Sequence, residues 1–162
     1  MKKIAVLCSQ YLPIIDALKY LLTDCEIDYL DNLKNESEYN LVILLNNYQG
    51  TFSGNALTCH YSLLPAFDTD EPIKQAILSG VKVTGLTIYF TNSKKIIAQY
   101  PIFIRNDMHY EDLLQELTYA EQTILPLVVK KIINNEQFEI SELINKKKGC
   151  SGNCGGCLSC NH

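Results

Sequence analysis

Four thiols stand within eleven residues near the end of the chain, Cys150, Cys154, Cys157 and Cys160, in the spacing C-x3-C-x2-C-x2-C. They are four of the seven cysteines in the sequence, and Gly149, Gly152, Gly155 and Gly156 stand beside and between them. A backbone this free of side chains can wrap one ion or cluster closely. Thiolates are soft ligands suited to iron–sulfur clusters and zinc. Runs of C-x2-C-x2-C supply three corners of a [4Fe–4S] cluster, whereas structural zinc draws on two C-x2-C knuckles about a dozen or more residues apart. Compression into so short a tail favours a [4Fe–4S] cluster on Cys150, Cys154, Cys157 and Cys160. Zinc and a run of free redox-active thiols are the alternatives.

A second constellation lies mid-chain. His60 precedes Tyr61-Ser62-Leu63-Leu64-Pro65, and three acids, Asp68, Asp70 and Glu71, come just before Pro72. An imidazole in such a place can shuttle a proton or donate to a developing oxyanion, or can simply cap a strand and fix the turn after it. The acids read as the start of a helix, with a catalytic carboxylate as the alternative.

Composition bounds what these groups can serve. With 162 residues, 47% hydrophobic and 20% charged, the chain can build one domain of about 130 residues plus an appendage. A net charge of −4 and a single arginine, Arg105, argue against a nucleic-acid partner. Lys146-Lys147-Lys148, the one basic block, reads as a solvated linker. No apolar run approaches the roughly 20 residues that span a bilayer. Met1-Lys2-Lys3 leads straight into an apolar run that reads as a strand and not as a secretory signal, so the expected compartment is the cytoplasm. Cys8, Cys25 and Cys59 sit in apolar segments and read as small core residues.

Elements that would position these groups follow from the hydrophobic pattern. Residues 3–8 read as a buried parallel strand, and Pro13 opens a helix with Ile14, Ile15, Leu18, Leu21 and Leu22 on one face. Strands are expected at 26–30, 41–45 and 55–60, with a polar connection at 31–39 and a loop at 46–54. Open α/β sheets place ligands in such loops, at the carboxyl ends of their strands. Pro72 starts a short helix that Gly80 ends. Residues 81–91 and 96–104 form a hairpin about the polar turn Asn92-Ser93-Lys94-Lys95. A long helix is expected over 110–134, with Pro126 kinking it, and a short one over 138–144. The expected organisation is an α/β domain at 1–134, a linker at 135–149 and the four-cysteine tail at 150–162.

His60-Tyr61-Ser62-Leu63-Leu64-Pro65, the helix at Pro72-Ile73-Lys74-Gln75-Ala76-Ile77, Gly80-Val81-Lys82-Val83-Thr84-Gly85-Leu86-Thr87 and Ile96-Ile97-Ala98-Gln99 occur in an order that resembles the formyltransferase domain. That family includes glycinamide ribonucleotide formyltransferase and the amino-terminal domain of methionyl-tRNA formyltransferase. The resemblance covers residues 1–133 and is densest over 57–133. It implies a doubly wound, mainly parallel sheet with helices on both faces, closed by an antiparallel hairpin. It also implies transfer of a formyl group from 10-formyltetrahydrofolate to an amine by an asparagine, a histidine and an aspartate.

Carried over residue by residue, the histidine is His60 and the asparagine position holds Thr58. The loop that should bear the aspartate has contracted to residues 92–95. The glycine-containing turn that holds the substrate phosphate in glycinamide ribonucleotide transferases is replaced by Ser9-Gln10-Tyr11-Leu12-Pro13. The loop that wraps the folate pterin is shortened here, leaving Asn46, Asn47 and Tyr48 as the candidate ligand contacts. The expectation is a formyltransferase-like domain that has lost standard formyl transfer and binds a small molecule, with a metal- or redox-responsive tail. The alternatives are an active formyltransferase using a folate, and a redox enzyme joining His60 to a tail cluster and a redox protein partner.

Overall fold

A computed structural model describes residues 1–139 of the chain. Cys150, Cys154, Cys157 and Cys160, with the metal or cluster expected on them, lie outside the described residues. Six strands form one mixed sheet in the order β2-β1-β3-β4-β5-β6. β1 (Lys2–Leu7) leads through α1 (Pro13–Leu21) to β2 (Cys25–Leu30), which pairs with β1 in parallel. β3 (Leu41–Leu44) lies on the other flank of β1, and β4 (Leu57–His60) continues the parallel run. β5 (Val83–Phe90) and β6 (Ile96–Phe103) then close the sheet in antiparallel sense.

The boundaries follow from local chemistry. Pro13 and Pro72 stand at the start of α1 and of α2 (Pro72–Leu78), where a missing N–H costs nothing. Gly80 ends α2 with φ at +66°, a left-handed conformation that suits glycine. Ile4, Ala5, Val6 and Leu7 are wholly buried because β1 has a neighbour on each edge and cover on each face, which is why the run is apolar throughout and not alternating.

The two faces of the sheet are covered differently. Ile4, Val6, Ile43, Leu57, Leu86 and Ile88 meet residues of α1, α2 and α3 (Tyr110–Ile133) in the main core. Ala5, Leu7, Val42 and Ala56 form a second, smaller core under Leu30, Leu33, Tyr39, Tyr48 and Phe52. None of those covering residues is in an α-helix; the connection from β2 to β3 contributes one 3-10 turn, Glu36–Glu38, and the stretch from β3 to β4 is irregular. The doubly wound, mainly parallel sheet and its hairpin are as the resemblance implies, but helices on both faces are not, because the shortened loop after β3 leaves coil to cover that side.

α3 is 24 residues long and runs on through Pro126 as one element. Tyr110 and Leu114 near its start border the space beside His60, while Lys2 Nζ donates to the Ile133 carbonyl near its end. The helix therefore travels from the carboxyl ends of the parallel strands to their amino ends. Phe138, expected to open a further helix, packs on the core, it and Glu139 are in irregular backbone, and residues 140–144 of that segment lie outside the described residues. Among the described residues no helix is long and apolar enough to cross a membrane.

Candidate functional site

The turn after β4 is built by residues whose side chains bond backbone. Ser62 Oγ donates to the Ala66 carbonyl at 2.5 Å. Thr87 Oγ1, fully buried on β5, donates to the Ser62 carbonyl at 2.6 Å and accepts from the Leu64 N–H at 3.0 Å. Gln99 Nε2 on β6 donates to the Leu64 carbonyl at 2.9 Å and to Thr87 Oγ1 at 3.1 Å. Leu63 lies over Gly85, where a Cβ would sit 2.7 Å from Leu63 Cδ2 and 2.1 Å from the Tyr100 carbonyl oxygen. Ser62, Thr87, Gln99 and Gly85 thus fasten the turn that follows His60 to the hairpin.

His60 ends β4 opposite Thr87, half-buried, with Nε2 3.0 Å from the Phe67 carbonyl oxygen. A carbonyl only accepts, so Nε2 carries the proton, and in the neutral ring the lone pair is on Nδ1. Phe67 holds φ at +52°, a left-handed conformation uncommon for a residue with a side chain. Beside His60 opens a cavity of about 540 Å³, bordered also by Asn46, Cys59, Tyr61, Asp68, Tyr89 and Tyr110. Asp70 and Glu71 border it too, although Glu71 is already paired with Lys74 at 3.1 Å. The acids before Pro72 thus do share a space with His60.

Other expected residues fall differently. Thr58 is buried on β4, two residues before His60, and its hydroxyl donates to the Leu44 carbonyl on β3 at 2.8 Å. That proton is committed to the backbone. The hairpin turn is tight, with Lys94 N–H bonded to the Phe90 carbonyl and Phe90 N–H to the Lys95 carbonyl, and residues 91–95 carry no acid. Of the three candidate ligand contacts after β3, only Asn46 borders the cavity. Asn47 Nδ2 donates to the Gln10 carbonyl at 3.0 Å, and Tyr48 packs on the smaller core. The Gln49 N–H also bonds Ser9 Oγ at 2.8 Å, so the loops after β1 and β3 are laced together over the point where the strand order reverses. Asn47 Oδ1 is buried there without a partner.

Behind the cavity wall stands a residue that was not singled out from the sequence. Glu121 on α3 is 8% exposed, and the Tyr61 hydroxyl donates to its Oε2. The Cys59 thiol is a second polar neighbour of the same carboxylate, and burial raises the Glu121 carboxyl above its ordinary value against the lowering effect of Tyr61 and Cys59. Burial, with the Glu121 charge second, raises the Cys59 thiol and the Tyr61 phenol. Tyr89 is raised chiefly by burial and then by the charge of Asp68. Glu121 was legible in one respect: it lies four residues after Leu117 and four before Leu125, on the apolar stripe of α3, where a carboxylate is out of place.

A larger cleft of about 840 Å³ runs between α3 and β6, lined by Tyr100, Ile102, Tyr119 and Thr123 among others. Its one carboxylate, Glu116, pairs with Arg105 at 3.0 Å, and it contains no histidine or thiol. The smaller cavity at His60 is the chemically equipped one. Among the described residues there is no group of three or more His, Cys, Asp or Glu side chains able to hold a metal ion.

Residues 40–129 match the formyl transferase family. The bifunctional polymyxin resistance protein ArnA of Wigglesworthia glossinidia brevipalpis is 31% identical over 121 residues, covering 70% of this chain and 18% of that protein. The phosphoribosylglycinamide formyltransferase of Bacillus subtilis is 33% identical over 86 residues, 51% of this chain and 44% of that one. The chain therefore spans less than half the length of these curated relatives. In three dimensions it resembles phosphoribosylglycinamide formyltransferase from Anaplasma phagocytophilum, with a TM-score of 0.69 at 19% identity over 83% of this chain and 88% of the other. It also resembles the formyltransferase PseJ from Anoxybacillus kamchatkensis, solved with a formamido sugar nucleotide and tetrahydrofolate, with a TM-score of 0.68 at 16% identity over 84% and 79%.

Proposed function

The chain belongs to the formyl transferase family, and from that premise we propose that it is a ligand-binding member that has given up the family's three-residue formyl transfer. The observation that carries the reading is the Thr58 hydroxyl, which donates to the Leu44 carbonyl and so offers no hydrogen to an oxyanion in the cavity. A single oxyanion donor is worth about 3 kcal/mol, roughly a hundredfold in rate or more, and the hairpin turn supplies no aspartate in compensation. His60 remains as a polar contact, its Nε2 proton held by Phe67 and its Nδ1 lone pair able to accept from a ligand donor. Asn46, Tyr61 and Tyr89 add an amide and two aromatic rings to the same space.

A reduced folate is the ligand this reading favours, since a structural neighbour was solved with tetrahydrofolate and Asn46 follows β3, where the family's pterin loop begins. Titration calorimetry with tetrahydrofolate and 5-formyltetrahydrofolate should show binding that His60→Ala weakens at least tenfold. Incubation with 10-formyltetrahydrofolate and an amine acceptor should show no formyl transfer above background. Transfer that depends on His60 would overturn the reading. It would support the second one, in which the chain is an enzyme and Asp68, bordering the same cavity, serves as the missing carboxylate. Asp68→Asn separates the two, abolishing turnover only if the second holds.

The tail stands with this reading as a separate ligand site. Its support is the sequence alone, four soft donors at cluster spacing in residues 150–160. A [4Fe–4S] cluster there would make the protein redox-responsive.

A further inference from the structure

Burying a carboxylate is costly unless a cation or several donors meet it. No lysine, arginine or histidine pairs with Glu121 among the described residues, and the titratable groups facing it from the elements packed on α3 are Cys59 of β4 and Tyr61 just beyond it. Tyr61 has the side chains of Asn46 and Thr118 as further polar neighbours, both of which lower its phenol value. Asn46, Cys59 and Tyr61 all border the cavity; Glu121 and Thr118 do not. The result is a link from the half-open cavity to a buried acid: Tyr61 borders the cavity, and its hydroxyl donates to Glu121.

We propose that Glu121 is a positioning residue whose proton sets the polarity of the cavity wall, and so links ligand binding in the His60 cavity to pH. Ionised Glu121 accepts only, so it fixes the single Tyr61 proton towards α3 and Tyr61 meets the cavity as an acceptor. Protonated Glu121 can donate to the Tyr61 oxygen, which frees the phenol hydrogen to turn to the cavity as a donor. A ligand carbonyl or carboxylate against Tyr61 then binds the protonated form more tightly, and by linkage its binding takes up a proton. The net change is one proton from solvent onto the carboxylate and a reversed Tyr61 hydrogen bond, with no bond made or broken in the ligand.

This inference rests on the cavity being a ligand site, and its test separates the two. The probe is 5-formyltetrahydrofolate, titrated between pH 5 and 9 into wild type, Glu121→Gln and Tyr61→Phe. His60, Asp68, Asp70, Glu71, Tyr89 and Tyr110 also border the cavity, and their titration is common to all three proteins. Wild type should lose affinity with rising pH by about tenfold more than either variant, the amplitude that a one-unit rise of the Glu121 carboxyl on binding produces. Equal slopes overturn the linkage.

A second readout needs no ligand: iodoacetamide labelling of Cys59, resolved by peptide mass spectrometry against pH. Removing the Glu121 charge should lower the labelling midpoint of Cys59 by about one unit, as expected for one adjacent charge. An unchanged midpoint overturns the proposal even if the folate binds. If 5-formyltetrahydrofolate binds none of the proteins, the folate reading fails, and a shifted Cys59 midpoint still supports the role of Glu121.

Discussion

Replacing Thr87 by valine exchanges one hydroxyl for a methyl and leaves the side-chain shape nearly unchanged. Three hydrogen bonds end on that oxygen: to the Ser62 carbonyl at 2.6 Å, from the Leu64 N–H at 3.0 Å and from Gln99 at 3.1 Å. The side chain is fully buried, so water does not replace them. Gln99 keeps its second acceptor, the Leu64 carbonyl. The Leu64 N–H has no other partner among the described residues, and a buried donor left unmet costs about 1–3 kcal/mol, with about 1 kcal/mol more for the lost bond to Ser62. The expected loss is about 2–4 kcal/mol, a large share of the roughly 5–15 kcal/mol that holds a domain. Urea unfolding should show a lower midpoint at unchanged slope. Thr87→Ser, which keeps the hydroxyl and drops one methyl, should lose only about 1 kcal/mol. The fastening role of Thr87 is refuted if valine costs no more than serine. Because Phe67, the partner of His60, hangs on the same turn, affinity for the cavity ligand should fall with stability in the valine variant and not in the serine one.

Gly85→Ala should destabilise by about 1–3 kcal/mol or prevent folding, since its methyl would meet the Tyr100 carbonyl at 2.1 Å; a neutral melt would contradict the close approach. Glu121→Gln should change the pH dependence of stability in a defined direction. Burial raises the folded carboxyl above its ordinary 4.5, so the folded state binds more protons and wild-type stability falls as pH rises from there through the folded value. Glutamine keeps an acceptor and carries no charge; the variant should match wild type at about pH 4 and exceed it at neutral pH, and parallel curves would refute this. Anaerobic purification should yield about four irons and four sulfides per chain, lost in a Cys154→Ala, Cys157→Ala variant. Stoichiometric zinc without sulfide, or no metal, would refute the cluster.

Much of the scaffold was legible because its signals are local. Pro13, Pro72 and Gly80 mark helix ends by fixed backbone chemistry, and the stripe Ile14, Ile15, Leu18 marks a buried face by period alone. What a residue does once packed was less legible. Ser62, Thr87 and Gln99 stood out as motif residues, yet their roles emerge only when β4, β5 and β6 lie side by side and all three reach the same turn. The substitution at Thr58 could be read from the chain, but the direction of its hydroxyl depends on its register with Leu44 of β3. Asn46, Asn47 and Tyr48 are consecutive and part company because an irregular loop has no period to predict which side chain faces which way. Glu121 broke the helical pattern, and the donors that explain it come from elsewhere in the chain.

The direction of α3 sets a geometric limit on how the two ends of this protein can communicate. A helix of 24 residues at about 1.5 Å per residue carries the backbone roughly 36 Å from the neighbourhood of His60 to the edge marked by Lys2. One continuous element thus touches both the cavity and the opposite edge of the sheet. A change at the cavity that moves the start of α3 is taken up in the packing of its buried stripe, Leu117, Ile124 and Val128 among it, and not in a loop.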